Sequence, residues 1–158
     1  DMNDLWEEYI DRQLFKSNPT NWLIKSQNSK KFWQLKGSNN AKTIRPDIII
    51  HNTLNDTRVV LDTKWKLPEN NIPADTDLKQ MFVYNEYWQG KNALLVYPNA
   101  TFTDSPIHYK GAFKKKADAS STHSCGIIKM AVLDKTNQKL DSTIGSRMIA
   151  FLKKEILK

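Results

Sequence analysis

The sequence predicts an α/β domain. Three observations lead there: apolar residues recur at helical spacing near both ends and once mid-chain, β-branched runs of strand length lie between them, and no internal repeat imposes a solenoid or propeller. At 158 residues the chain fits one domain spanning 1–158. Such a chain hides roughly two-thirds of the surface its unfolded form exposes, so a core needs neither disulfide nor structural metal. Hydrophobic residues make up 39% and aromatics 10%, which excludes a disordered chain.

The elements follow in order. Asp4 is placed to cap a helix over 5–16, whose apolar residues Leu5, Trp6, Tyr9, Ile10, Leu14 and Phe15 recur along one side. Asn18-Pro19 ends it, because the residue before proline is driven out of helical geometry. Short strands are expected over 22–25 and 32–35, with a turn at 37–40. The β-branched runs 43–51 and 58–66, joined by turn residues 52–57, predict a hairpin. After a Pro/Asn-rich loop (68–73), Asp77 caps a helix over 78–88 that Gly90 terminates. An apolar strand follows at 93–97, another at 126–133, and an amphipathic helix at 142–157 closes the chain. The segment 99–124 is a long basic loop carrying Lys110, Lys114, Lys115 and Lys116, which would contact DNA if it is functional and be merely solvated otherwise.

Several classes of function drop out. No apolar run approaches the ~18–20 residues of a membrane span, and no secretory signal is present, which points to a soluble, cytoplasmic protein without membrane contact. Cys125 is the only cysteine, so disulfide frameworks and multi-cysteine zinc sites are out. The three histidines show no zinc spacing. With 24 Lys+Arg against 17 Asp+Glu the net charge of +7 favours a polyanionic partner. The opening straight into a helical pattern reads as a fragment of a longer protein.

Chemistry concentrates in the hairpin. Pairing His51 with Arg58 and counting outward sets Asp47 opposite Asp62, on one face and with Cβ atoms ~4.5–5.5 Å apart. Facing carboxylates among Ile48, Ile49, Ile50, Val59, Val60 and Leu61 call for a cation. Lys64, two residues beyond Asp62 on the same side, is one candidate, and a hard divalent metal is the other.

Arg45-Pro46-Asp47 and, after a fourteen-residue gap, Asp62-Thr63-Lys64 resemble the PD-(D/E)xK nuclease signature in its Asp-x-Lys form. Glu7 on the preceding helix and the Gln80-x-x-x-Tyr84 pattern on the following one sharpen the likeness. Together with Leu5-Trp6-Glu7, Trp65-Lys66, the run from Asp77 and Leu94 to Pro98, they resemble the nuclease domain of McrC-type subunits of McrBC modified-cytosine restriction systems. The resemblance implies a restriction-endonuclease-like fold, a mixed central sheet flanked by helices. It implies Mg²⁺, with Mn²⁺ as an alternative, held by Asp47, Asp62, Glu7 and the carbonyl of Thr63. Lys64 would orient or help deprotonate the attacking water, and Gln80 and Tyr84 would brace the site or touch DNA. It further implies an endonuclease cutting double-stranded DNA for antiviral defence, driven by an McrB-like AAA+ GTPase docked on a missing N-terminal region.

Plainer readings stand beside these. Glu7 fits a capping box after Asp4, with Glu8 as a fallback ligand; Gln80 could cap after Asp77, and Tyr84 could be core. Asp62 and Lys64 could form only a cross-strand ion pair. The rival functions are a catalytically silent DNA-binding or assembly domain, a RecB-like repair exonuclease and a junction resolvase.

Overall fold

Helix α1 (Met2–Lys16) opens the chain, and its N-cap is Asp1, whose side chain accepts a hydrogen bond from Asn3 N. The expected Asp4 cap is therefore wrong by one turn: Asp4 lies inside the first turn, where an acid complements the helix dipole. Trp6, Ile10 and Leu14, spaced by four, form its buried stripe. The computed structural model describes residues 1–114, 116, 117 and 122–158. Lys115, expected to contact DNA, lies outside the described residues.

Strands β1 (Trp22–Ser26), β2 (Lys30–Gln34), β3 (Ala41–Ile44), β4 (Ile48–Asn52) and β5 (Thr57–Thr63) follow. The expected strand over 43–51 is in fact broken at Arg45-Pro46-Asp47. Proline lacks the N–H a central ladder needs, so β3 leaves the main sheet and pairs with β2 as a separate two-stranded ribbon. The hairpin register is the one counted from sequence. His51 faces Arg58 and Ile48 faces Leu61, and one further pair, Asn52 with Thr57, shortens the expected loop. The second hairpin strand stops at Thr63 rather than running to residue 66: Lys64 N makes the last ladder bond, to Val96 O, and Trp65 N turns away to donate to Asn3 Oδ1.

Helix α2 (Asp75–Trp88) crosses from β5 to the parallel strand β6 (Asn92–Asn99). Its N-cap is Ala74, so Asp77 sits in the first turn and not at the cap. Gln89, with φ of 57°, supplies the left-handed end expected of Gly90. Strand β7 (Ile107–Tyr109) then pairs antiparallel with β8 (Ser124–Ala131), which runs parallel to β6. The basic segment 99–124 is thus partly a sheet edge. Three residues, Ile107-His108-Tyr109, are too short a run to signal it.

The six-stranded mixed sheet has the order β1-β4-β5-β6-β8-β7. Helices α1 and α3 (Ile144–Phe151) cover one face, centred on Trp6, Ile10, Ile50, Leu61, Val96 and Met148. Helix α2 covers the other through Met81, Tyr84 and Trp88, packed on Ile49, Val60, Leu95 and Tyr97. This is the mixed sheet flanked by helices that the resemblance implied. Gly145 lets α3 approach α1, since a Cβ there would fall 2.2 Å from Gln13 O. The expected helix over 142–157 continues past Phe151 as a π-helical turn, Leu152–Ile156, closed by Leu157 N donating to Leu152 O.

Candidate active site

Asp47 stands one residue before β4, in the break Pro46 creates. Its backbone carbonyl accepts from Gln27 N, and its Oδ2 accepts from Thr63 N at 2.7 Å and from Thr63 Oγ1 at 2.8 Å. Thr63 thereby fixes the first acid to the end of β5. Asp62, 4% exposed, points to the α2 face, because side chains alternate along the strand and Val60 packs there. The ladder ends with Ile48 facing Leu61, and Asp47 and Asp62 are the next residues along the two strands, close enough for the charge of Asp62 to act on Asp47.

Lys64 supplies the cation that the buried acids demand. Its Nζ is 2.7 Å from Asp62 Oδ2 and 3.2 Å from Asp77 Oδ1, while Lys66 Nζ is 2.9 Å from Asp77 Oδ2. The ammonium lies off the direction a hydrogen bond to Asp62 Oδ2 needs, so that buried oxygen carries an ion pair and no hydrogen bond.

The electrostatics follow from burial and spacing. Burial first, then the neighbouring Asp62 charge, pushes the Asp47 carboxyl up to about 6 against the two Thr63 hydrogen bonds. Burial also raises Asp62, with Lys64 opposing. Burial works against the Lys64 ammonium, but Asp62 and Asp77 outweigh it and hold it above the usual lysine range. Lys64 is therefore a fixed cation at neutral pH.

The remaining expected residues divide. Glu7, on α1, is half-buried; burial raises its carboxyl, Gln27 Nε2 donates to it at 3.1 Å, and Asp47 adds a further upward push. With Asp1 as the cap, the capping-box reading of Glu7 fails. Glu8 is exposed and paired with Arg12, away from any role as a ligand. The Tyr84 hydroxyl donates to Arg45 O at 3.0 Å, which ties α2 to the loop carrying Asp47. Tyr84 is both core and brace. Gln80, exposed one turn earlier, lies beside that hydroxyl. Lys110 and Lys114 are not brought to the acids. From Tyr109, opposite Ile127, the chain runs to Ala112, opposite Ser124, toward the end of the sheet away from Thr63. Lys116 is exposed in the same segment. Among the described residues no three His, Cys, Asp or Glu side chains form a ready metal cage.

Asp77 is the residue that sequence reasoning missed. It is 8% exposed and shares Lys64 and Lys66, yet an acid in a first helical turn signals only capping. Burial opposes its charge, but the two lysines win and lower its carboxyl below the usual range. Its stabilising contribution is therefore full above the ordinary carboxylate value and lost as pH falls through the lower folded one. Asp77→Asn is expected to cost about 1.5–3 kcal/mol at pH 7. Urea unfolding at pH 7 and pH 3 checks this, and the deficit should shrink at pH 3.

A family model described as McrBC 5-methylcytosine restriction system component matches residues 1–98. The chain belongs to the McrBC family. The matched stretch contains Glu7, Asp47, Asp62, Lys64, Asp77 and Tyr84, the whole constellation just described. Among solved structures, a chain in the refined half-complex of Thermococcus gammatolerans McrB AAA+ hexamers with bound McrC is similar, at 19% identity and a TM-score of 0.65. The match covers 99% of this McrBC-family chain and 34% of that chain, so the present chain spans about a third of its length. No curated protein matches the sequence. Among the described residues no helix is long and apolar enough to cross a membrane.

Proposed function

We propose that this McrBC-family domain hydrolyses phosphodiester bonds of double-stranded DNA, with Mg²⁺ or Mn²⁺ as cofactor, as the cleavage module of a restriction complex serving antiviral defence. The observation that carries the reading is the meeting of two acids, buried Asp62 and half-buried Asp47, at neighbouring strand ends, with the Lys64 ammonium on Asp62. An AAA+ GTPase as driving partner rests on family membership and on the similar structure, in which McrC is bound to McrB AAA+ hexamers.

The residues fit a hard divalent ion. Mg²⁺ is commonly bound through one or two carboxylates, with water and substrate oxygens completing its shell. Asp47 and Asp62 offer two carboxylates whose mutual repulsion a cation relieves, and Asp62 Oδ2 is buried without a hydrogen bond. Glu7 and the Thr63 carbonyl would complete the protein's share. A bound Mg²⁺ lowers the pKa of water and offsets charge gathering on the phosphate.

The chain's own residues do the rest. Lys64, held protonated by Asp62 and Asp77, serves as a fixed positive charge beside the scissile phosphate rather than as a base. Thr63 orients Asp47, and Tyr84 holds the Arg45–Asp47 loop in place. Burial of Asp62 keeps water from screening the charges involved.

The test is cleavage of a supercoiled plasmid by the full-length protein with its AAA+ partner and GTP, in Mg²⁺ and in EDTA. Cleavage is expected in Mg²⁺ alone, and Lys64→Ala should lower it by about 10²-fold or more. Equal cutting by wild type and Lys64→Ala would remove the lysine from the mechanism. An uncut circle beside a degraded linear substrate would instead indicate an end-dependent exonuclease.

A further inference from the structure

We infer that the β2–β3 ribbon is the arm with which this domain grips a DNA duplex. The inference rests on the nuclease reading and names the surface that presents the substrate to it.

All five residues of β2 are exposed, including Phe32 and Trp33, at 48% and 54%, and Leu35 just beyond is equally open. An isolated two-stranded hairpin with uncovered aromatics is marginal in water, so these side chains are set out for a partner. The composition says which kind. Residues 30–45 carry Lys30, Lys31, Lys36, Lys42 and Arg45 and not one Asp or Glu. Charge of a single sign interleaved with exposed aromatics complements a polyanion.

Among the described residues the ribbon is rooted at the end where Lys30 pairs with Ile44. Lys30 Nζ donates to Tyr87 O at 2.6 Å and lies 4.9 Å from the Trp88 ring, while Phe32 packs edge-on against Tyr87. Phe32 is also the extra residue in the ladder: Lys31 faces Thr43, but Trp33 faces Lys42. Trp33 and Lys42 are thereby direct cross-strand neighbours on one face, beyond the rooted end. The major groove of B-DNA admits a two-stranded β-ribbon.

Placement supplies the link to the site. Strand β3 leads through Arg45-Pro46 directly into Asp47, and Tyr84 clamps that junction. The duplex is thus held by a segment joined directly to the site, with its root on Tyr87 and Trp88 lying toward the same end of the sheet as Lys110 and Lys114.

Binding of the full-length protein to a labelled 30-bp duplex in EDTA, followed by fluorescence anisotropy across a salt series, tests this. The variant Lys31→Ala/Lys36→Ala/Lys42→Ala should bind about ten-fold or more weakly, with the salt slope reduced by roughly 0.9 for each phosphate left unneutralised. Trp33→Ala should weaken binding at every salt concentration and leave the slope unchanged. Lys153→Ala/Lys154→Ala, on the π-helical turn, should match wild type. Wild-type binding by the ribbon variants overturns the proposal, as does a change confined to self-association measured by sedimentation. The two readings fail separately: a ribbon-dependent binder that cuts nothing in Mg²⁺ sinks the nuclease reading alone, and a ribbon-independent binder that cuts sinks the arm alone.

Discussion

Asp62→Asn is expected to abolish Mg²⁺-dependent plasmid cleavage while leaving the metal-free protein as stable as wild type at pH 7, or more so. The substitution keeps shape and removes one of two neighbouring like charges, the buried one. Lys64 still holds Asp77, so the ammonium is not stranded. The expected loss in rate is about 10²-fold or greater. Calorimetric titration with Ca²⁺ should show heat of binding for wild type and none for Asp62→Asn. Normal cleavage by the variant would overturn the assignment. The pH dependence carries its own sign. Asp47 titrates near 6 when folded, above the ordinary aspartate value of 3.8. The folded state therefore binds more protons in that window, and stability is full below about 3.8 and falls as pH rises through about 6. In Asp62→Asn that decline should be shallower, because burial alone then raises Asp47. Chemical unfolding at pH 4, 5, 6 and 7 in EDTA reads it directly.

The second large effect lies away from the chemistry. Asp141, 3% exposed, pairs with Arg147 and accepts hydrogen bonds from Thr143 N at 2.9 Å and Thr143 Oγ1 at 2.7 Å. Arg147 also donates to Thr103 O at 3.0 Å, and the Tyr9 hydroxyl donates to Asp141 O. This knot ties α1, the segment before β7 and the start of α3 together. Asp141→Ala leaves a largely buried guanidinium without its counter-charge and is expected to cost about 3–5 kcal/mol. Denaturant unfolding at pH 7 measures the loss. The double variant Asp141→Ala/Arg147→Met should lose less than the sum of its single variants, because the uncompensated charge goes too.

What the sequence reveals, and what it hides, follows from the range of each signal. The register of β4 on β5 is legible, since turn residues at 52–57 and unbroken apolar runs on both sides leave little freedom to slip. That register is what brings Asp47 and Asp62 to neighbouring strand ends. The break at Pro46 escapes the pattern because Thr43 and Ile44 look as strand-like as Ile48, and only pairing with β2 shows that they belong elsewhere. Strand β7 is invisible because its three residues gain strand geometry from β8 rather than from their own pattern. The sequence pattern places the cap at Asp4, but the helix begins one turn earlier, at Asp1, whose side chain accepts from Asn3 N. Asp77 shows the limit most clearly. An acid in a first turn is a local signal, whereas its ion pairs reach to Lys64 and Lys66, and no spacing rule connects them.

The start of α1 is fastened at three points. Asn3 Oδ1 holds Trp65 N, Trp6 Nε1 donates to Val96 O at 3.1 Å, and Glu7 meets Gln27. Within two turns of its start, the helix is riveted to Trp65 just past β5, to Val96 on β6 beside Thr63, and to Gln27 just past β1. Tension applied at the amino end would load those rivets before it reached the interior, so the Asp62–Lys64 pair stands in series with a load on that end.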